Sequence, residues 1–138
     1  MARSRSTEPP PKRLILDSGA VIALSRDDHR AAAVVRAAWE SGIEVSIPAV
    51  VVAETVRGGA KDAPVNRVVK SVGNILPVDE GVGRVAGALL GRARSSSTID
   101  ALVVAHALGI GGALILTGDP HDLGALADGH PEVLVQPL

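Results

Sequence analysis

Two short, uninterrupted apolar runs constrain this chain most: Leu14-Ile15-Leu16 near its start and Leu114-Ile115-Leu116 near its end. A strand with one wet face alternates apolar and polar residues. A run without alternation suits a strand covered on both faces, as in a parallel sheet clothed by helices. Asp17 follows the first run directly, and Asp119 stands three residues beyond the second. In a parallel α/β fold, residues just past the carboxyl ends of the strands gather at one end of the sheet. The pattern therefore predicts a fold class and a place for chemistry together.

The intervening sequence supplies the alternation that such a fold needs. After the strand at 13–17, Asp17-Ser18-Gly19 turns into the apolar stretch Ala20 to Leu24. A helix is expected from about Asp28 to Trp39, capped by Asp27 or Asp28, with Gly42 beyond its end. Glu44 to Ile47 reads as a strand stopped by Pro48, which opens a helix running through Glu54 to Gly58-Gly59. A short helix over 64–71 and a strand over 75–78 follow. Asp79 and Glu80 open a helix to about Arg94. Ser95-Ser96-Ser97-Thr98 starts another, which carries Asp100 and continues to Leu108. Gly109 to Gly112 breaks that helix, Ala113 to Thr117 is a fourth strand, and Val133 to Val135 a fifth. Strands alternating with helices imply right-handed crossovers and a mostly parallel sheet of about five strands, with helices on both sides.

At 138 residues, one domain is expected, burying roughly two thirds of its unfolded surface. Met1 to Lys12 is charged and then proline-rich, without the apolar centre of a signal peptide, and reads as a flexible extension to a domain over 13–138. No run is long enough to span a bilayer, so a soluble cytoplasmic protein is expected. The chain has no Phe, no Tyr and a single Trp39, so its core is built from Ala, Val, Leu and Ile. Nucleic acid held on aromatic stacking platforms does not fit that composition. Without cysteine there is no disulfide, thiolate catalysis or sulfur-ligated zinc. A net charge of −1 argues against coating nucleic acid by bulk electrostatics. Arg57, Lys61, Arg67, Lys70, Arg84, Arg92 and Arg94 read first as solvated helix faces, with a basic rim around an acidic centre as the alternative.

Four acids carry the chemical reading: Asp17, Glu54, Asp100 and Asp119. Asp17 and Asp119 are each accounted for alone as helix caps. Asp100 is accounted for as a carboxylate near the positive end of a helix, and Glu54 as an exposed residue. Glu54 and Asp100 are both placed in the first turns of their helices, each an isolated charge interrupting an apolar stretch. Together the four would repel one another and shift toward protonation unless a cation neutralised them. A divalent metal site, and with it an enzyme, is the natural inference. The histidines His29, His106, His121 and His130 share no metal-ligand spacing. His106 reads as a satisfied helix histidine, and His121 as a minor candidate for approaching substrate. No glycine pattern makes a nucleotide-phosphate loop.

The segments Leu-Ile-Leu-Asp-Ser-Gly, Ala-Glu-Thr-Val-Arg-Gly, Ile-Asp-Ala-Leu-Val-Val-Ala-His-Ala and Leu-Thr-Gly-Asp-Pro-His-Asp-Leu, in that order, resemble a PIN domain. More narrowly, they resemble the VapC toxin ribonucleases of toxin–antitoxin pairs. The likeness runs over about residues 13 to 136. It implies a PIN-like three-layer sandwich, with Asp17 and Asp100 as the primary metal ligands and Asp119 as a further acid after the fourth strand. Glu54 would hold a metal or orient the nucleophile, directly or through water. Ser18 and Thr117 would support the carboxylates by hydrogen bonds, and Asp122 is a second candidate for the late acid, ranked below Asp119. Mg²⁺ or Mn²⁺ is the implied cofactor, and the implied reaction is RNA hydrolysis leaving a 5′-phosphate and a 3′-hydroxyl. The implied partners are RNA, a VapB-type antitoxin and a second copy of the chain in a homodimer, with no membrane. The helices near 31–39 and 50–56 are candidate partner surfaces.

Two other classes compete. An aspartate-nucleophile phosphatase would use Asp17, but its usual second Asp two residues on is Gly19 here. A PIN-like module that binds partners without catalysis would need no metal.

Overall fold

The computed structural model describes residues 12–138. The expected extension over Met1–Lys12 falls, apart from Lys12, outside the described residues. Strands β1 (Arg13–Leu16), β2 (Glu44–Pro48), β3 (Ile75–Leu76), β4 (Ala113–Thr117) and β5 (Val133–Pro137) form one sheet in the order β3-β2-β1-β4-β5. Every neighbouring pair is parallel, with Leu14 in register with Val45 on one side and with Leu114 on the other. The order of connection reverses between β1 and β4. A crevice therefore opens beyond their carboxyl ends, where loops leave in opposite directions.

Helices α1 (Ser18–Ser25), α2 (His29–Glu40), α3 (Ala49–Thr55) and α4 (Ala63–Val72) link the first three strands. Helices α5 (Glu80–Ala93), α6 (Thr98–Gly109) and α7 (Pro120–Ala127) serve the other half. Right-handed crossovers put the first four on one face and the last three on the other. Accordingly, α1 packs on α2, α3 and α4, while α5, α6 and α7 pack on one another. This is the expected three-layer α/β sandwich, with Leu14, Ile15, Leu16, Ile47, Ile115 and Leu116 fully buried at its centre. Beyond its first turn, helix α6 is apolar all round except for His106, and it buries Ala101, Val103, Val104, Ala105 and Ala107 between its neighbours, as a helix without a wet face must. The break after it is sharp because Gly112 lies at φ +114 and a side-chain carbon there would meet the Glu132 carbonyl at 2.7 Å.

Local signals account for most boundaries. Asp28 and Asp79 cap α2 and α5, accepting from the Ala31 and Val82 amides at 2.9 Å. Three departures from expectation have physical causes. Helix α3 stops at Thr55 rather than near Gly58, so Glu54 lies in its last turn and not in a first turn. The Thr55 hydroxyl donates back to the Val51 carbonyl at 2.9 Å, and Val56 is extended. The buried Asp62 carboxylate then takes the Arg57 and Gly58 amides at distances of 2.7 to 3.1 Å, which keeps them out of the helix. Strand β3 is only two residues long, with Pro77 beyond it. Finally, the segment after Asp119 forms a full helix, α7, begun by Pro120 and seated by Leu123, Leu126 and Ala127.

Asp62 follows from the chain only once its loop is seen, and it carries a stability prediction. Asp62→Ala should lower the unfolding free energy in urea by about 2 kcal/mol, because three charge-assisted contacts to main-chain amides are lost. Asp62→Asn should lose less. Equal stability of all three proteins would mean that the loop does not depend on this carboxylate.

Candidate functional site

The crevice at the switch point is a cleft of about 660 Å³ walled by Asp17, Glu54, Asp100, Asp119 and Asp122, together with Ser18, Gly19, Gly118 and the segment Ser96 to Ile99. All four acids singled out in the sequence line it, and so does the lower-ranked Asp122. None of the arginines or lysines considered as a basic rim is among the lining residues. Among the described residues, the carboxylates therefore meet no opposite charge on the cleft wall.

Each acid is placed by its element. Asp17 leaves β1 and caps α1, its Oδ1 accepting the Ala20 amide at 2.9 Å. It is 5% exposed. Its carboxylate also accepts from the Thr117 hydroxyl and the Gly118 amide. The Thr117 oxygen in turn accepts the Asp119 amide at 2.7 Å, so one buried threonine ties the ends of β1 and β4 together. Ser18 lines the cleft, but the hydrogen bonds holding Asp17 come from Thr117, Ala20 and Gly118.

Asp119 occupies the N-cap position of α7 without capping it, which leaves its carboxylate free. Asp122 is three residues on, in the first turn of the same helix, and residues at that spacing share a helix face. Asp100 projects from the first turn of α6. Ligand oxygens of Asp100, Asp119 and Asp122 lie within 4.8 Å of one another. This trio is the tightest acidic grouping found among the described residues. Asp17 stands behind it as the buried floor, and Glu54 faces it from the end of α3. Asp122 gains its place from α7, a helix not among the expected elements. A Pro at the helix start and Leu123, Leu126 and Ala127 at helical spacing were the available signal.

The charges act on one another. Burial pushes the Asp17 carboxyl up, its three hydrogen bonds pull it back, and the charge of Asp119 raises it further. Asp100 is pushed up to about 6, first by burial and then by Asp119, Asp17, Asp122 and Glu54. An all-oxygen donor set with surplus negative charge suits a hard divalent cation such as Mg²⁺ or Mn²⁺. The residues present fit that group.

His106 departs from expectation. It is buried at 4% exposure on α6, and its Nε2 has no hydrogen-bond partner among the described residues. Burial lowers its pKa and favours the neutral ring. It does not line the cleft, so it is neither a satisfied histidine nor a base for this site. His121 lies outside the cleft wall too, with Nδ1 3.3 Å from the Asp122 carboxylate.

The raised Asp100 carboxyl makes metal-free stability depend on pH. The folded protein holds that proton up to about 6, whereas the unfolded chain releases it near 3.8. The contribution is therefore full below 3.8 and lost as pH rises through about 6. Asp100→Asn should raise the Tm of the metal-free protein at pH 7 and change it little near pH 4. A Tm difference independent of pH would contradict this electrostatic account.

No curated protein is matched by the sequence. Solved structures share the fold. A chain of VapBC2 from Rickettsia felis, bound to a DNA fragment from its promoter, aligns with a TM-score of 0.72 at 13% identity, covering 91% of this chain and 98% of that one. A chain of a toxin–antitoxin complex from Klebsiella pneumoniae aligns at 0.66 and 19% identity, covering 88% and 95%. FitAcB from Neisseria gonorrhoeae aligns at 0.60 and 21% identity, covering 88% and 95%. Residues 14–127 match the PIN domain family. With the parallel sheet, the switch-point cleft and its acids already in place, that span assigns the chain to the PIN-domain family.

Proposed function

We propose that this chain is a metal-dependent endoribonuclease of the cytoplasm and the toxin of a toxin–antitoxin pair. The observation that carries the reading is the gathering of five carboxylates in one cleft with no basic residue among its described walls. Asp100, Asp119 and Asp122 would hold Mg²⁺ or Mn²⁺, with Asp17 completing the site from below. Such an ion, when bound, lowers the pKa of a water and offsets charge developing on a phosphate.

The chain's own groups then divide the work. Thr117, Ala20 and Gly118 hold Asp17 in place. Glu54, exposed at the end of α3, orients the attacking water. The start of α6 faces the cleft through Ser96, Ser97 and Thr98, and Ser97 makes no side-chain cap. The positive end of the helix suits a backbone phosphate of RNA. Water oxygen bonds to phosphorus as the bond to the 3′ oxygen breaks. The 3′ oxygen takes a proton, and a 5′-phosphate remains.

A partner surface accompanies this reading. Among α1, α2 and α4 lies an apolar groove lined by Leu24, Val35, Trp39, Val68 and Val72, with Arg36 and Arg67 at its sides. Trp39 is 50% exposed. An antitoxin segment with apolar residues and acidic flanks fits there, which favours α2 over α3 as the docking helix. Val51 of α3 is fully buried, and Val50 and Val52 pack against the core. Homodimer formation belongs to the same proposal. The phosphatase reading is disfavoured because Gly19 stands where such an enzyme usually places its second Asp.

The test is cleavage of a total RNA pool with Mg²⁺ or Mn²⁺, repeated with chelator. Asp17→Asn preserves the helix cap, and both it and Asp100→Asn should lose at least about a hundredfold in rate while staying folded. Activity that survives chelator, or persists in both variants, would defeat the proposed site. A wild-type protein that binds no Mn²⁺ would instead favour the non-catalytic binding module. Separately, Trp39→Ala should weaken antitoxin binding by at least about tenfold without altering RNA cleavage by the free protein. Unchanged affinity would remove this groove from the interface.

A further inference from the structure

The turns leaving β1 and β4 touch through main chain alone. A methyl group built on Gly19 would lie 3.0 Å from both the Cα and the amide nitrogen of Gly118, and 3.5 Å from Oδ1 of Asp17. Real side-chain carbons rarely come so near to backbone, and here neither neighbour is a flexible side chain. A methyl on Gly118 would meet only ordinary contacts, 3.5 Å from the Gly19 Cα and 3.5 Å from Cδ1 of Leu138. Gly19 lies in α1, where alanine is the better helix former, so helix formation gives no reason for glycine at this position.

The amide that such a methyl would displace is the one donating to Asp17. Gly118 is also bonded to Asp119 in sequence, and the Asp119 amide is held by Thr117. Moving Gly118 would thus take a donor from the cleft floor and carry Asp119 away from it. Resting on the metal-site reading above, we propose that Gly19 is a positioning residue. Its missing side chain lets the β4 turn close on Asp17 and sets the spacing between Asp17 and Asp119 that favours a small cation. Mg²⁺ and Mn²⁺ need short, regular coordination, whereas Ca²⁺ tolerates longer and looser sets.

The experiment is calorimetric titration of Mn²⁺ and of Ca²⁺ into the full chain, comparing wild type, Gly19→Ala and Gly118→Ala, with Tm measured alongside. Gly19→Ala should lose about 10- to 100-fold in Mn²⁺ affinity, as displaced supporting groups typically do. Its Ca²⁺ affinity should fall less, so that the Mn²⁺-to-Ca²⁺ ratio drops. Gly118→Ala should stay near wild type in both. An unchanged ratio in folded Gly19→Ala, or an equal loss in Gly118→Ala, overturns the positioning role while leaving the metal site intact. No Mn²⁺ binding by wild type overturns the metal reading as well. If Gly19→Ala does not fold, the contact supports the fold rather than the site and the proposal falls. A measurement on wild type alone provides a further check: hydrogen exchange at the Gly118 amide should be slowed by its bond to Asp17, and free exchange there also overturns the proposal.

Discussion

Like charges forced together at one end of a sheet are the constraint on which this structure turns, and helix direction is what makes it tolerable. Four of the five cleft acids sit at the beginnings of helices: Asp17 before α1, Asp100 in the first turn of α6, and Asp119 and Asp122 at the start of α7. Each start carries partial positive charge and unpaired amides. Three helices thus aim their positive ends at the same cleft. Glu54 is the exception, in the last turn of α3, where no such compensation exists. The remaining repulsion shows in the raised Asp100 carboxyl.

Parallel topology makes the convergence possible. Every helix that follows a strand begins near that strand's carboxyl end, so a sheet that reverses order between β1 and β4 brings two such starts side by side. The interior then has to hold that frame rigidly with aliphatic residues alone. It does so by stacking fully buried Leu and Ile from β1, β2 and β4 against a helix, α6, whose polar side chains are confined to its start and to His106. The same helix that closes the core thereby presents Asp100 to the cleft. Packing and chemistry are tied to one element, and a change in how α6 seats on the sheet would move Asp100 with it.

The fold was largely legible because its signals were local: continuous apolar runs for β1 and β4, aspartates at the starts of α2 and α5, and glycines after α6. The acids were legible because each stood out against an apolar or small-residue background. Distance was harder to read. Nothing near Glu54 announced that α3 would stop at Thr55, because the cause is a carboxylate at Asp62 that reaches back from the next loop. The place of Asp122 is hard to read from sequence because its closeness to Asp100 depends on how α7 packs, and a helix of eight residues leaves a weak trace in sequence. The unpartnered His106 ring was invisible for the same reason, since its lack of a partner is a property of the packed neighbours.

Trp39 has a consequence for how the molecule is observed. It is the chain's only tryptophan, and no tyrosine or phenylalanine accompanies it. It stands half-exposed on the groove beside α4 rather than in the core. Ultraviolet emission therefore originates at a single surface point and reports little of the interior, so melting of the aliphatic core changes it modestly. Covering the groove moves that one indole out of water and shifts its colour directly, which makes the protein a built-in optical gauge of whatever settles there.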